Sequence, residues 1–350
     1  MISTHFTRSL LAGVGLTLLL TGCERPPVDV DQIGYRGTGM EKVTNPRTEA
    51  KLVAANQAPA ALDPAEKGGP LAKNVYKNVQ VLGGLTVNEF NRLMVAMTLW
   101  VAPEQGCAYC HNVANFADDG LYTKIVARRM TQMTQTINSK WQAHVGDTGV
   151  TCYTCHRGQN LPTKRWFTEP DAQIAGRLLG NDSGQNRAGV EANANTSLPY
   201  DPFTPFLLQD KEIRVAGTTA LPTGNRQSIK QTEWTYALMM HMSDGLGVNC
   251  TFCHNTRAMH DWSQSPPQRV TAWHGIRMVR EVNNEYIAGL APIHPPNRLG
   301  PTGDIAKVNC ATCHQGVNKP LYGAQMLQSH PELAGSSSGG SLASALVKPK

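Results

Sequence analysis

The pattern Cys107-Ala108-Tyr109-Cys110-His111 returns as Cys152-Tyr153-Thr154-Cys155-His156, Cys250-Thr251-Phe252-Cys253-His254 and Cys310-Ala311-Thr312-Cys313-His314. This fourfold C-x-x-C-H pattern constrains the chain more than any other feature. It consumes eight of nine cysteines and leaves only Cys23 over. A disulfide framework has no reason to place a histidine after every second cysteine, and a redox or zinc pair does not need one four times. The spacing suits covalent haem attachment: two thiols add across the porphyrin vinyls, and the next imidazole lies under the iron. Eight cysteines so arranged provide for four haem c groups.

The remaining composition narrows the reading. A chain of 350 residues, 41% hydrophobic and 17% charged, is long enough for two ordinary domains. The net charge of +6 is spread over 32 basic and 26 acidic residues. No basic run interleaves with aromatics, so a nucleic-acid partner is not expected.

Residues 1–22 read as an export signal. Leu10 to Leu20 is apolar apart from Thr17, which suits a signal core and is short for a membrane span. Leu20-Thr21-Gly22-Cys23 follows and resembles a bacterial lipobox, with Cys23 as the lipidated first mature residue. A diacylglyceryl thioether plus an N-acyl chain supplies enough hydrocarbon for stable anchoring. No later segment is apolar enough to span.

The sixth ligand of each iron decides between electron carrier and open reactive site. Thr86-Val87-Asn88-Glu89 has capping-box spacing and opens a helical stretch, Phe90 to Val101, bearing Met94 and Met97. Pro103 and Gly106 end it just before Cys107. Leu121 to about Trp141 is a second helical pattern, with Met130 and Met133, ahead of Cys152. Thr232 to Ser243 is a third, with Met239, Met240 and Met242, stopped by Gly245 and Gly247 before Cys250. Three motifs thus share one construction: methionine-bearing helix, glycine-containing turn, C-x-x-C-H. Periodicity does not choose within a cluster, because Met94 and Met97 share a face, as do Met130 and Met133. The fourth motif differs. Its preceding helix, about Arg269 to Ala288, carries only Met278, 32 residues before Cys310. A histidine is expected there instead, from among His144, His241, His260, His274 and His294.

With the lipobox, the four motifs, the methionine helices and a two-plus-two layout, the chain resembles the tetrahaem cytochrome subunit of the purple-bacterial photosynthetic reaction centre, from Cys23 to about Gly316. The resemblance implies axial pairs Met94–His111, Met130–His156 and Met239–His254, and a bis-histidine pair His144–His314. It implies one-electron relay, not enzymatic catalysis. The resemblance further implies that a soluble periplasmic donor, a small cytochrome c or a high-potential iron–sulfur protein, would feed the haem on Cys107/Cys110, and that the haem on Cys250/Cys253 would lie nearest the bacteriochlorophyll pair of the membrane-embedded core. The protein would sit on the periplasmic face of the inner membrane, held by its lipid anchor. Thioether ligation raises haem potential, which fits donation to a strong oxidant. Around the first motif, Glu89, Glu104, Asp118 and Asp119 outnumber Arg92, a charge balance able to steer a basic donor. Two other readings compete: a multihaem oxidoreductase, which needs an open or Lys-ligated haem, and a respiratory electron-shuttle lipoprotein.

The expected fold is mainly α with extensive irregular coil, in two pseudo-repeated haem-pair halves. Residues 23–70 form an extended N-terminal segment, 71–165 the first half, 166–227 a connector, 228–320 the second half and 321–350 a flexible tail.

Overall fold

The computed structural model describes residues 27–32, 40–170, 198–213, 215 and 228–335. The signal segment, Cys23, much of the connector and residues 336–350 lie outside them. The fold is mainly α with long stretches of irregular coil. The strands Asp29–Gln32 (β1) and Glu41–Thr44 (β2) pair antiparallel, with Val30 opposite Val43.

Helix α1, Pro46–Ala55, stands inside the segment expected to be extended. Its local cause is Asn45-Pro46. The Asn45 side chain accepts from the Arg47 amide, and Pro46 needs no amide partner at the first helical position. Helix α2, Val87–Val101, starts where the capping box puts it. Thr86 Oγ1 accepts from the Glu89 amide, and the Glu89 carboxylate accepts from the Thr86 amide. Such a cap contributes about 1 kcal/mol. Leu93, Ala96 and Trp100 form the buried stripe of α2.

Helix α3, Tyr122–Lys140, buries an unusually polar stripe that includes Thr131, Thr134 and Asn138. Asn138 satisfies itself through the Val150 and Leu333 carbonyls, at 2.9 and 2.8 Å. The second motif is the short helix α4, Cys152–His156. Helix α5, Ile229–Leu246, is capped by Ser228 and ends on left-handed Gly247. Helix α6, Gln268–Glu281, runs on through a π-turn and a 3-10 turn to Ile293. The fourth motif is helix α7, Cys310–His314.

Two apolar clusters result. The larger gathers Ile137 and Trp141 at the end of α3, Leu238 of α5, and Ile276 and Val279 of α6. Trp166, Phe203, Phe206 and Leu207 also enter it, so the connector supplies core. The smaller joins Leu93, Ala96 and Trp100 of α2 to Cys152 and Leu333.

Residues 321–335 correct the expectation of a flexible tail from 321. Leu321, Met326 and Leu333 are buried. Arg92 of α2 fastens the segment: its guanidinium donates to the Ser329 carbonyl and Glu332, contacts His330 Nδ1 at 3.0 Å, and also holds the Leu62 and Asp63 carbonyls. Only after Gly335 does the composition turn to repeated Gly and Ser. The charge count around the first motif changes too. Arg92 is enclosed, Glu89 serves its cap, and Asp119 pairs with Lys124 and Arg128.

Candidate functional site

The four motifs fold in two local forms. The first and third are 3-10 turns, Gly106–Tyr109 and Cys250–Phe252, with an aromatic residue before the second cysteine. In each, the asparagine after the histidine closes a tight turn: Asn112 Oδ1 accepts from the Ala114 amide and Asn255 Oδ1 from the Arg257 amide. The second and fourth, α4 and α7, have threonine at that position. Thr154 Oγ1 and Thr312 Oγ1 accept from the amides of Thr151 and Asn309. Each helix then ends on a left-handed residue followed by glycine: Arg157 (φ 51°) and Gly158, Gln315 (φ 49°) and Gly316.

The motif imidazoles are oriented alike. His156 Nδ1 donates to the Gln159 carbonyl (2.9 Å), His314 Nδ1 to Val317 (3.0 Å) and His254 Nδ1 to Met259 (3.0 Å). His111 faces the Phe116 carbonyl at the same five-residue offset as His254, at looser geometry. A carbonyl only accepts, so Nδ1 carries the proton and Nε2 keeps its lone pair. Burial lowers the pKa of all four, and His314, with His144 beside it, falls to about 4. The neutral ring with a free Nε2 is the form that ligates iron, so these residues fit haem c.

Of the histidines left open, His144 is the one beside His314, with ring centroids 6.0 Å apart. It stands on the one-turn helix Gln142–Val145, and its Nδ1 donates to the Thr271 carbonyl of α6 at 2.9 Å. A Cβ at Gly275, one turn further along α6, would meet the His144 ring at 2.5 Å. The notch at Gly275 therefore admits the imidazole against α6. His241 instead packs on Phe203, His294 on Tyr122, and His260 is exposed.

The three methionine helices carry a shared signature that runs deeper than methionine content: Met94-Val-Ala-Met97-Thr98, Met130-Thr-Gln-Met133-Thr134 and Met239-Met-His-Met242-Ser243. Thr98 Oγ1 and Thr134 Oγ1 donate back to the Met94 and Met130 carbonyls, both at 2.9 Å. All six of these methionines are half-buried at the edges of the two clusters. In α6 the M-x-x-M-[ST] signature is missing and the glycine notch stands instead.

The second and fourth motifs abut. Cys155 and Cys313 are joined as a disulfide with Cα atoms 4.4 Å apart, where the sequence reading puts a haem thioether on each sulfur. The two bonds are alternative uses of the same sulfurs, and the 4.4 Å Cα separation shows that the two motifs lie side by side. Residues 40–63 pass the third, second and fourth motifs and end on the helix that leads to the first. Thr251 Oγ1 donates to the Glu41 carbonyl at the third, and Asn56 contacts Arg157 and Gln315 at the second and fourth. Leu62 and Asp63 then reach Arg92 of α2, the helix leading to the first. For this strap the sequence pattern suggests an extended segment that covers a partner or tethers the globule, not one that links the motifs to each other. Asn45-Pro46 was its legible signal.

Among the described residues no helix is long and apolar enough to cross a membrane. The family described as "Photosynthetic reaction centre cytochrome C subunit" matches residues 24–334. The chain is 55% identical over 326 residues to the photosynthetic reaction center cytochrome c subunit of Rubrivivax gelatinosus, covering 93% of this chain and 88% of that one. It is 53% identical over 317 residues to that of Thermochromatium tepidum, covering 91% and 78%. A more distant relative, cytochrome c-554 of Chloroflexus aurantiacus, is 28% identical over 301 residues, 70% of this chain and 69% of that one. With its motifs, its histidine geometry and these matches, the chain belongs to the photosynthetic reaction centre cytochrome c subunit family and carries covalently bound haem c.

Proposed function

We propose that the chain holds four haem c groups and passes electrons from a soluble periplasmic donor to the photo-oxidised bacteriochlorophyll pair of a membrane-embedded core. Haem c supplies the one-electron Fe(III)/Fe(II) couple. The chain's residues attach, ligate and order the groups. Cys107/Cys110, Cys152/Cys155, Cys250/Cys253 and Cys310/Cys313 bind the vinyl carbons. His111, His156, His254 and His314 would ligate the irons through Nε2. Met94, Met130 and Met239 would supply thioether ligands to three of them, and His144 would complete the fourth.

The observation that carries this reading is the meeting of the second and fourth motifs at Cys155 and Cys313. Porphyrins attached there would adjoin. The strap runs from Thr251 at the third motif past Gln315 at the fourth to Arg92 on the helix that leads to the first, an order that supports a row with the third and first haems at its ends. A lipid on Cys23 would tether the strap at its third-motif end, which supports a core-facing third haem. The donor would meet the first. Steering there would rest on Glu104 and Asp118 beside exposed Val113 and Phe116, because Glu89 and Asp119 are otherwise engaged.

The test is the detergent-solubilised membrane complex. Expected are co-purification with bacteriochlorophyll, four haems per chain and haem oxidation after a flash. Strong carbon monoxide binding to a native haem, or a chain that never travels with bacteriochlorophyll, overturns the proposal.

A further inference from the structure

The second and fourth motifs are entered through matching clamps. Asn138 of α3 grips both backbone groups of Val150: its Nδ2 donates to the Val150 carbonyl at 2.9 Å, and its Oδ1 accepts from the Val150 amide at 2.8 Å. Asn283, in the π-turn that continues α6, grips Val308 in the same way, at 2.9 Å for each bond. Val150 and Val308 each stand two residues before the first cysteine of their motif. Both asparagines are buried, and both also donate from Nδ2 to a distant carbonyl, Leu333 for Asn138 and Leu207 for Asn283. The clamps set α3 and α6 in one register against their motifs.

That register is an offset of 145 residues, from Asn138 to Asn283. It lays Thr131, Thr134 and Ile137 on Ile276, Val279 and Val282, and all six are buried. It lays Met133 on Met278 and Met130 on Gly275. The same offset carries Met94 onto Met239 and Met97 onto Met242. Of the four equivalent positions 94, 130, 239 and 275, only the last has no side chain. Glycine weakens a helix interior, so its presence in α6 calls for a local reason. The three heavy atoms nearest a Cβ at Gly275 all belong to the His144 ring, at 2.5, 2.8 and 3.1 Å. The imidazole stands where a side chain at 275 would begin.

We propose that Gly275 is the vacated methionine-ligand position of α6, and that this one residue decides the ligand type, and with it the potential, of the fourth haem. The inference rests on the four-haem reading above. A methionine at 275 would exclude the His144 ring and offer a thioether from α6, as Met130 does from α3. Glycine lets the imidazole in, and the Nδ1 proton stays on the Thr271 carbonyl, so Nε2 is the ligating atom. A thioether in place of an imidazole raises a haem's potential. The glycine therefore holds the haem on Cys310/Cys313 below its three companions. The register also separates the two methionines of α3. Met278 keeps its place in the larger apolar cluster of a helix that supplies no thioether, so its counterpart Met133 is core and Met130 is the ligand.

The experiment combines resonance spectra and an equilibrium redox titration of purified holoprotein. His144→Ala alone should leave one ferric haem high-spin. Adding Gly275→Met to it should return all four haems to low spin. The rescued haem's potential should rise above its wild-type value by an amount equal to about tenfold in its electron-exchange equilibrium, about 59 mV for one electron. A double variant that keeps the high-spin haem, or that regains low spin at the wild-type potential, overturns the proposal. Met130→Gly carries the notch into α3. It should make one haem high-spin, and added imidazole should restore low spin. If the double variant does not load haem, Met130→Gly decides: four low-spin haems without added imidazole overturn the equivalence of 130 and 275. A wild-type spectrum for His144→Ala, or fewer than four haems on the wild-type chain, would instead break the underlying reading.

Discussion

The inner motifs, α4 and α7, and the outer motifs, at Cys107 and Cys250, share five residues of pattern but occupy different environments. Inner ones are helical, closed by threonine and followed by a left-handed residue and glycine. Cys152 and Cys310 are so enclosed that burial pushes their thiols up to about 12. Outer ones are 3-10 turns at the surface, where Cys107 and Cys250 are exposed. An inner haem would be part of the core around which the chain folds. An outer haem would be carried on that core's rim, where a partner can reach it.

The largest expected effect separates the two roles. Replacing Cys107 and Cys110 with serine should yield a folded protein whose haem count falls from four to three. Replacing Cys152 and Cys155 should remove more than about 5 kcal/mol of stabilisation, a loss that few folded states survive, and holoprotein yield should fall at least tenfold. Intact mass and haem-stained yield measure both. Equal yields would erase the distinction between core and rim.

The Gly275 notch is the next point of attack. A Cβ there would stand 2.5 Å from His144 Cε1 and 2.8 Å from Nδ1. Gly275→Ala should displace the imidazole from the fourth haem and leave three haems six-coordinate. A high-spin ferric signal for one haem of four is the expected resonance spectrum. A wild-type spectrum would mean that His144 is no ligand. His144→Met should keep six-coordination and raise that one potential, with the other three near their original values.

Within the outer class, the two methionines of α2 can be told apart. Met94→Leu should lower the first haem's potential or turn it high-spin, while Met97→Leu should change stability by about 1 kcal/mol with the spectrum unaltered. The reverse result would move the ligand three residues along the helix.

The two classes also show what was legible. The haem motifs, the capped start of α2 at Thr86 and the stop of α5 at Gly247 could be read directly, because each depends on contacts within a few residues. The split into inner and outer motifs was also written locally, as Thr against Tyr or Phe before the second cysteine and Gln-Gly or Arg-Gly against Asn after the histidine. Treating the four motifs as identical hid it. Gly275 was not legible: a glycine inside a helix explains itself only when His144, more than a hundred residues away, lies against it. The same holds for Arg92, a surface charge by composition. Its partners at 62–63 and 329–332 make it a clamp. The order in 321–335 went unread for the same reason, since Leu333 is buried against a helix more than two hundred residues earlier.

The clamps of the two regions differ in one last respect. Arg157 and Asn56, which join the inner motifs, contain no group that titrates near neutrality. The clamp on α2, the helix leading to the first outer motif, contains His330. That imidazole is 2% exposed, lies edge-on to Trp100 at 4.5 Å and contacts Arg92 at 3.0 Å. Burial, reinforced by Arg92, takes it down to about 4 from 6.5. Between those values the unfolded chain binds a proton that the folded chain refuses. The stabilisation is therefore complete above pH 6.5 and is lost as pH falls toward 4. The melting temperature should drop by a few degrees between pH 7 and pH 4.5, at roughly 2–4 °C per kcal/mol. His330→Gln should flatten that part of the slope. If the wild-type and His330→Gln proteins lose stability in parallel over this window, the outer clamp is no more sensitive to pH than the inner one.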